Sequence, residues 1–343
     1  MGSQSRSLLV AALLVVSLAG VAAPVGGQAG PETSTACSFP VSETDATDAN
    51  VTVPERPERI VVLQPSTAQT VWELDAADRV VGAPVGPYTE YLEGIDEKES
   101  VLKADGFSVN QEAVVELDAD LVLAANVAPD GTVESLRAAD QTVFKFGFGS
   151  SLESVAEKTE LTGRLIGSCE QAAETNEEYE GRIEAVRNGT DTGEPPRVLY
   201  YTDGFVAGSG TFIDEIVTTA GGVNVAAENG IEGYGELNEE ALVEWDPEVI
   251  LVSDDGPGLP ESEAFASTFA VRNDQVVTVD GNYISQPAPR ITIALEEVAA
   301  AIEAAETADS AATESETEDS PGFGVGVALV ALVSVAVFAR RRR

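Results

Sequence analysis

The segment NQEAVVELDADLVL, residues 110–123, recurs 128 residues later as NEEALVEWDPEVIL, residues 238–251, with seven of the fourteen positions identical. Each copy opens on an asparagine suited to cap a helix, carries apolar residues three and four apart, and ends in a short apolar run of strand character. A helix leading directly into a strand is part of an α/β layer, and writing it twice at this distance requires two like halves. The surrounding pattern agrees. The first half reads as strands at 59–63, 79–82, 121–124 and 143–146, with helices starting after Pro65-Ser66, at Asn110 and at Gly131. The second half reads as strands at 198–201, 249–252 and 276–279, with helices starting at Thr211, Asn238, Glu261 and Ala288. The expected fold is α/β: two similar lobes, each three-layered around a central, mostly parallel sheet.

Between the halves, residues 151–187 hold no proline and place apolar side chains mostly three or four apart. Ser150 and Glu153 have the spacing of a capping box, and Asn188-Gly189 is a stop signal. One long backbone helix is therefore expected to join the lobes, about 55 Å long if unbroken, with Gly163 and Gly167 as its weak points.

Both ends of the chain read as targeting segments. Arg6, an apolar run at 8–21 and small residues at Ala22, Ala23 and Ala29 form an export signal. At the other end an uncharged stretch at 322–339 is followed by four arginines, which belong on the cytoplasmic side. The segment before it, ETADSAATESETEDS, is acidic and lacks any large apolar residue, so it cannot bury a core and is expected to be a disordered spacer. The division is then signal peptide 1–29, N-terminal arm 30–50, first lobe 51–149, connecting helix 150–189, second lobe 190–305, spacer 306–320 and anchor or transmembrane segment 321–343. The mature protein is expected on the extracellular face of the membrane, held by its C-terminus.

Charge fits that address. Asp and Glu number 59 against 19 Lys and Arg, for a net charge of −40. In molar salt the screening length falls to about 3 Å, so self-repulsion fades while carboxylates keep the surface hydrated, which is a halophile's solution. Such a surface cannot neutralise phosphates, so nucleic acid is excluded as a partner. Two cysteines in an exported chain, Cys37 and Cys169, point to a disulfide and not to a metal site. The chain has no histidine, which excludes a Ser-His-Asp triad, a Cys-His pair and histidine zinc sites, so an enzyme is not expected. Asn50-Val-Thr and Asn188-Gly-Thr have the spacing of N-glycosylation acceptors.

The motifs PERIVVLQPSTAQTVWELDAADRVVG (from Pro57), NQEAVVELDADLVL, TAGGVNV (from Thr219), GELNEEALVEWDPEVILV and NYISQPAPRITIALEEVA (from Asn282), in this order, resemble the cobalamin and ferric-siderophore class of ABC-importer substrate-binding proteins. Haloarchaeal members linked to cobalamin uptake look most similar. Pro321-Gly322-Phe323 before the terminal apolar run resembles the PGF-CTERM sorting signal of archaeal surface proteins. The resemblance implies a class III periplasmic-binding-protein architecture, a corrinoid cargo such as cobalamin or, as the alternative, a ferric siderophore, and a permease dimer with ATPase subunits as partner. No resident cofactor and no metal site are implied.

Large flat ligands need rigid faces with polar tips, and aromatics are few: seven Tyr, eleven Phe and two Trp. Carried onto matching positions, the resemblance implies a ligand set of Ser66, Tyr88, Phe107, Asn126, Tyr201, Tyr234, Asn282, Tyr283 and Gln286. Arg290 either anchors a polar ligand group or supports a loop. With no histidine to replace cobalamin's lower base, base-on binding is implied. The resemblance also assigns Glu112 and Glu240, in the first turns of the two echoed helices, to contacts with the permease. Helix capping and the macrodipole alone account for a glutamate there as well.

Overall fold

The computed structural model describes residues 37–190 and 194–316, with side chains described as far as Ala305. The expected signal peptide and C-terminal anchor lie outside the described residues. Among the described residues no helix is long and apolar enough to cross a membrane.

The described chain opens with an antiparallel hairpin, β1 (Val41–Thr44) and β2 (Asn50–Val53), which straddles the boundary expected between arm and first lobe. Its turn is organised by Asp45, whose carboxylate accepts from Thr47 N and Oγ1 and from the Lys145 amide, and pairs with Arg137. These bonds hold the Asp45 carboxyl below the usual range even though its burial works the other way. They also dock the hairpin on the first lobe.

That lobe contains β3 (Ile60–Val62), α1 (Pro65–Glu73), β4 (Val80–Ala83), β5 (Glu99–Ser100), α2 (Gln111–Glu116), β6 (Leu121–Ala124), α3 (Asp130–Ala138) and β7 (Val143–Lys145). The strands form one sheet in the order β5-β4-β3-β6-β7, with every pairing parallel. β3, β6 and β7 are buried at every residue, as expected of parallel strands covered on both faces.

The expected single connecting helix is built as two. α4 (Leu152–Ile166) ends at Gly167, whose φ of 73° breaks the helix, and α5 (Cys169–Gly189) runs back beside it. Asn176 Nδ2 donates to Ala156 O at 3.0 Å and Tyr179 Oη to Leu152 O at 3.0 Å, which fixes an antiparallel pair. Close approach near the turn depends on Gly163, where a Cβ would lie 2.5 Å from that of Ala172. The capping box is Ser151 with Ser154, one residue later than the sequence spacing suggests. Leu165, Ile166 and Ala172 enter the first lobe's core, while Leu152, Val155, Tyr179 and Ile183 enter the second's. Both helices therefore span both lobes, and the connector is a stiff pair rather than a single rod. The Cys37–Cys169 disulfide ties the segment before β1 to the first turn of α5.

The second lobe follows with β8 (Arg197–Thr202), β9 (Phe205–Ala207), α6 (Phe212–Thr219), β10 (Val223–Asn224), α7 (Val225–Glu228), β11 (Tyr234–Glu236) and α8 (Glu239–Trp245). It continues through β12 (Val249–Ser253), α9 (Glu263–Ser267), α10 (Phe269–Arg272), β13 (Val276–Val279), α11 (Gly281–Ile284) and α12 (Ile291–Glu316). β10, β12 and β13 join β8 in a parallel array, while β9 and β11 add an antiparallel edge. The edge begins at Asp203-Gly204, both at positive φ, the dipeptide of a tight two-residue hairpin.

α12 keeps its helical backbone to Glu316, eleven residues into the stretch expected to be a disordered spacer. Alanine and glutamate, frequent in that stretch, propagate an existing helix readily.

The echoed segments occupy equivalent places. Asn110 caps α2 by accepting from Ala113 N, and Asn238 caps α8 by accepting from Glu240 N. Both helices end on aspartates at positive φ, Asp118 at 44° and Asp246 at 40°. An arginine at the foot of each lobe's first strand then holds that end. Arg59 donates to Asp118 O and Leu117 O, and Arg197 donates to Asp246 O. Each arginine's own amide is accepted by the next acidic residue, Asp120 at 2.8 Å and Glu248 at 2.7 Å.

Candidate ligand cleft

Parallel α/β sheets place their functional loops at the carboxyl ends of the strands. Here the loops at that end of the first sheet meet the segment following β13 of the second. Gln286 is buried and spends both ends of its amide across this junction: Nε2 donates to Tyr88 O at 3.0 Å, and Oε1 accepts from Tyr91 Oη at 2.9 Å. Tyr91 Oη in turn accepts from Gln69 Nε2 at 2.8 Å, and Gln69 Oε1 accepts from the Arg290 amide at 2.9 Å. The Arg290 guanidinium lies 5.5 Å from the Tyr91 ring centroid and pairs with Glu73 at 2.6 Å. Burial in this network pushes the Tyr91 phenol up to about 12. Arg290 therefore supports the junction, which is the structural side of the two roles its sequence context allowed.

Exposed apolar side chains gather on the same side of the first lobe, one for each strand-end loop after β4 to β7. They are Tyr88, Phe107, Val127 and Phe148, at 39%, 74%, 70% and 80% exposure. Phe107 is carried on a tight tip in which Asp105 accepts from the amides of Phe107 and Ser108, bonds that hold its carboxyl down at about 2. Its ring centroid lies 6.3 Å from that of Tyr88. Ser66 is buried in the first turn of α1, and Asn126 is half-buried just past β6. From the second lobe, Phe205 is exposed beside the Asp203-Gly204 turn, and Tyr234 on the edge strand β11 is 58% exposed. Asn282 and Tyr283 lie half-buried on α11, with Tyr283 edge-on to Tyr91 at 5.6 Å.

Tyr201 does not join this group. It is buried under the second sheet, edge-on to Phe265 at 5.1 Å. Alternation along β8 instead puts Tyr200 on the opposite face, level with Ala207 and Tyr234 across the antiparallel edge and near Ser285. The sequence reading missed Tyr200, because it could not fix which of two adjacent buried tyrosines faces which side. The Asp203-Gly204 dipeptide was the available signal, since a two-residue turn sets the register.

A pocket of about 170 Å³ opens between the lobes, lined by Asn126, Phe146, Phe148, Glu157, Lys158 and Pro287 among others. Lys158 on α4 donates to Pro287 O across the junction, and burial pushes its ammonium down to about 8. It too was absent from the residues singled out by sequence. Among the described residues no group of His, Cys, Asp and Glu is arranged to hold a metal ion.

The echoed helices start on the cleft side as well. The Asn110 amide bonds Val101 O just past β5, and Leu237, before α8, bonds Gly204 O in the turn after β8. Glu112 and Glu240 are exposed, and no ion pair engages either carboxylate among the described residues.

A family model described as periplasmic binding protein matches residues 60–283, most of both lobes. The chain belongs to the periplasmic binding protein family. Such proteins are substrate-binding components of ABC transporters, not enzymes. This periplasmic binding protein is 40% identical over a 373-residue alignment to the cobalamin-binding protein of Halobacterium salinarum, with 98% of each chain covered. The vitamin B12 binding protein BtuF of Vibrio cholerae superposes with a TM-score of 0.64 at 23% identity, covering 74% of this chain and 99% of that one. The heme-binding protein HmuT superposes with a TM-score of 0.66 at 24% identity, covering 84% and 96%. These two likenesses establish the two-lobed fold. A model of the PGF-CTERM motif matches residues 320–342, the mark of a surface-anchored extracellular protein.

Proposed function

We propose that this protein captures a corrinoid such as cobalamin in the cleft between its lobes and delivers it to a permease dimer powered by ATPase subunits, while tethered to the outer face of the membrane by its C-terminal motif. The corrinoid is cargo, not a cofactor. The observation that carries this reading is the row Tyr88, Phe107, Val127 and Phe148, one exposed apolar side chain per strand-end loop, on a chain otherwise covered in carboxylates. An acidic protein that exposes a grouped apolar surface at its lobe junction is built to cover something large and flat. Similarity to a cobalamin-binding protein supports the same choice. A ferric siderophore in the form of an anionic chelate asks for several free cations together, and with Arg290 paired to Glu73 the interlobe pocket offers Lys158.

Delivery is supported by the part of the echo whose side chains face solvent and make no ion pair among the described residues. Capping, the terminal aspartates and the strand account for most of its positions. Glu112, Val115 and Glu116 on α2 and Glu240, Val243 and Glu244 on α8 remain, identical in both copies, exposed, and spaced to share one helix face. A duplicated surface on two pseudo-equivalent lobes suits a partner with two-fold symmetry. The test is uptake of labelled cyanocobalamin by cells whose only copy carries Glu112→Arg with Glu240→Arg. Surface-displayed, ligand-binding but transport-dead protein is expected, and normal uptake contradicts delivery through these faces.

A further inference from the structure

Lys158 is a cation set in the wall of the pocket between the lobes. The protein has 59 acidic side chains against 19 basic ones, yet none of the acidic groups described pairs with this lysine. Lys145, the more deeply buried of the two, is paired with Asp130. Arg79, also buried, spends its guanidinium on Pro57 O, Ile166 O and Ser168 Oγ. Lys158 has one acceptor, the Pro287 carbonyl, and among the described residues no carboxylate forms an ion pair with it, although Glu157 lines the same pocket. An ammonium carries three donors, so two remain unused at the pocket wall. Taking a charge out of water without a counter-charge is costly, and that cost is relieved when an anion arrives.

The surroundings specify what kind of anion. Phe146 and Phe148 supply apolar walls, the exposed Phe148 continues the row of side chains presented to the ligand, and Asn126 offers an amide just past β6. The volume, about 170 Å³, is too small for a flat macrocycle and sufficient for an arm projecting from one. We propose that this pocket is an oxyanion subsite of the ligand cleft, in which Lys158 binds an anionic arm of a flat ligand, a phosphodiester or a carboxylate. The inference rests on the cleft being the ligand site. It adds a specificity determinant: the subsite separates ligands that carry an anionic arm from those that share only the ring.

Two corrinoids differ in this respect. Cyanocobalamin carries a phosphodiester in its nucleotide loop, and dicyanocobinamide lacks it. Full-length protein in molar salt is titrated with both, as wild type, Lys158→Gln and Lys158→Arg. Wild type is expected to prefer cyanocobalamin, and Lys158→Gln to bind it at least tenfold more weakly while holding dicyanocobinamide as before. Lys158→Arg keeps the charge and is expected to keep most of the preference. Equal weakening for both corrinoids would mean that only the contact with Pro287 had been lost, and it overturns the subsite, as does no change for either. If wild type binds neither corrinoid, the corrinoid reading fails separately and hemin, with two carboxylate arms, becomes the probe. Weaker hemin binding by Lys158→Gln then supports the subsite, while unchanged binding, or no binding of hemin at all, overturns it.

Discussion

The Tyr91 hydroxyl of the first lobe donates to Gln286 Oε1 of the second at 2.9 Å, across 195 residues of sequence. This bond joins two buried or half-buried groups whose remaining partners, Gln69 and Tyr88 O, all belong to the first lobe. Both ends of the Gln286 amide are therefore spent on holding the two lobes together. Tyr91→Phe removes a donor and an acceptor at once, and leaves Gln286 Oε1 and Gln69 Nε2 each without that partner. It is expected to cost about 1–3 kcal/mol or more in denaturant unfolding, the usual penalty for an orphaned buried polar group. An unchanged midpoint would show that water replaces the phenol at no cost.

The aromatic faces are expected to carry most of the ligand contact. Tyr88→Ala combined with Tyr234→Ala should weaken cyanocobalamin binding by about 2–4 kcal/mol if both rings cover the macrocycle. Tyr201→Ala is the contrasting case. It is expected to lower stability through loss of its packing on Phe265, with ligand affinity following only as far as folding does. Titration and thermal unfolding of both variants separate the two effects.

Lys158 gives the apo protein a pH dependence of unusual sign. Burial holds its folded value at about 8 against an ordinary 10.5. The fold therefore carries the full penalty of the buried ammonium below about pH 8, and the penalty disappears as pH rises from there to the unfolded value. Lys158→Met, which also loses the bond to Pro287 O, is expected to be more stable than wild type at pH 7 by about 1–2 kcal/mol after allowance for partial solvent access. The advantage should vanish by about pH 11. Unfolding curves across pH 6–11 check it, and a constant difference would remove the ionisation from the account.

Much of this fold could be read from the chain because its strands are continuous apolar runs and its echoed helices carry their own caps. Residues 121–124 and 276–279 are strands at the expected boundaries, and both Asn110 and Asn238 cap the helices they precede. What escaped notice depends on relations between distant residues or on single backbone angles. Gly167 splits the connector by adopting a left-handed conformation, which an apolar period running through it conceals. Asp203-Gly204 creates the antiparallel edge and decides that Tyr200, rather than Tyr201, lies in register with Tyr234. Gln286 was assigned to the ligand by resemblance, yet its amide is used between lobes, a pairing invisible along the sequence. That no carboxylate pairs with Lys158, although Glu157 lines the same pocket, likewise appears only in three dimensions.

The Cys37–Cys169 disulfide closes a loop of 132 residues. In the chain-entropy model a loop of this length is worth roughly 4–5 kcal/mol. Protein taken from the cell surface should therefore show no free thiol by mass spectrometry, and reduction should lower its unfolding midpoint in denaturant by a corresponding amount. Two free thiols in the surface form would contradict the structure.

Glu112 and Glu240 separate capping from docking. If they serve only their helices, Glu112→Gln and Glu240→Gln should each cost a few tenths of a kcal/mol of stability and leave uptake alone. If they meet a basic surface, the paired arginine substitutions should abolish uptake with folding and ligand affinity nearly unchanged, because like charges then face each other at both contacts.

The most direct test of the central claim is an equilibrium titration of the surface-purified protein in molar salt with cyanocobalamin, followed by absorbance and calorimetry, with an anionic ferric tris-catecholate chelate as competitor. Binding of one cyanocobalamin per chain, undisturbed by the chelate, is the expected result. No corrinoid binding together with tight binding of the chelate would contradict it.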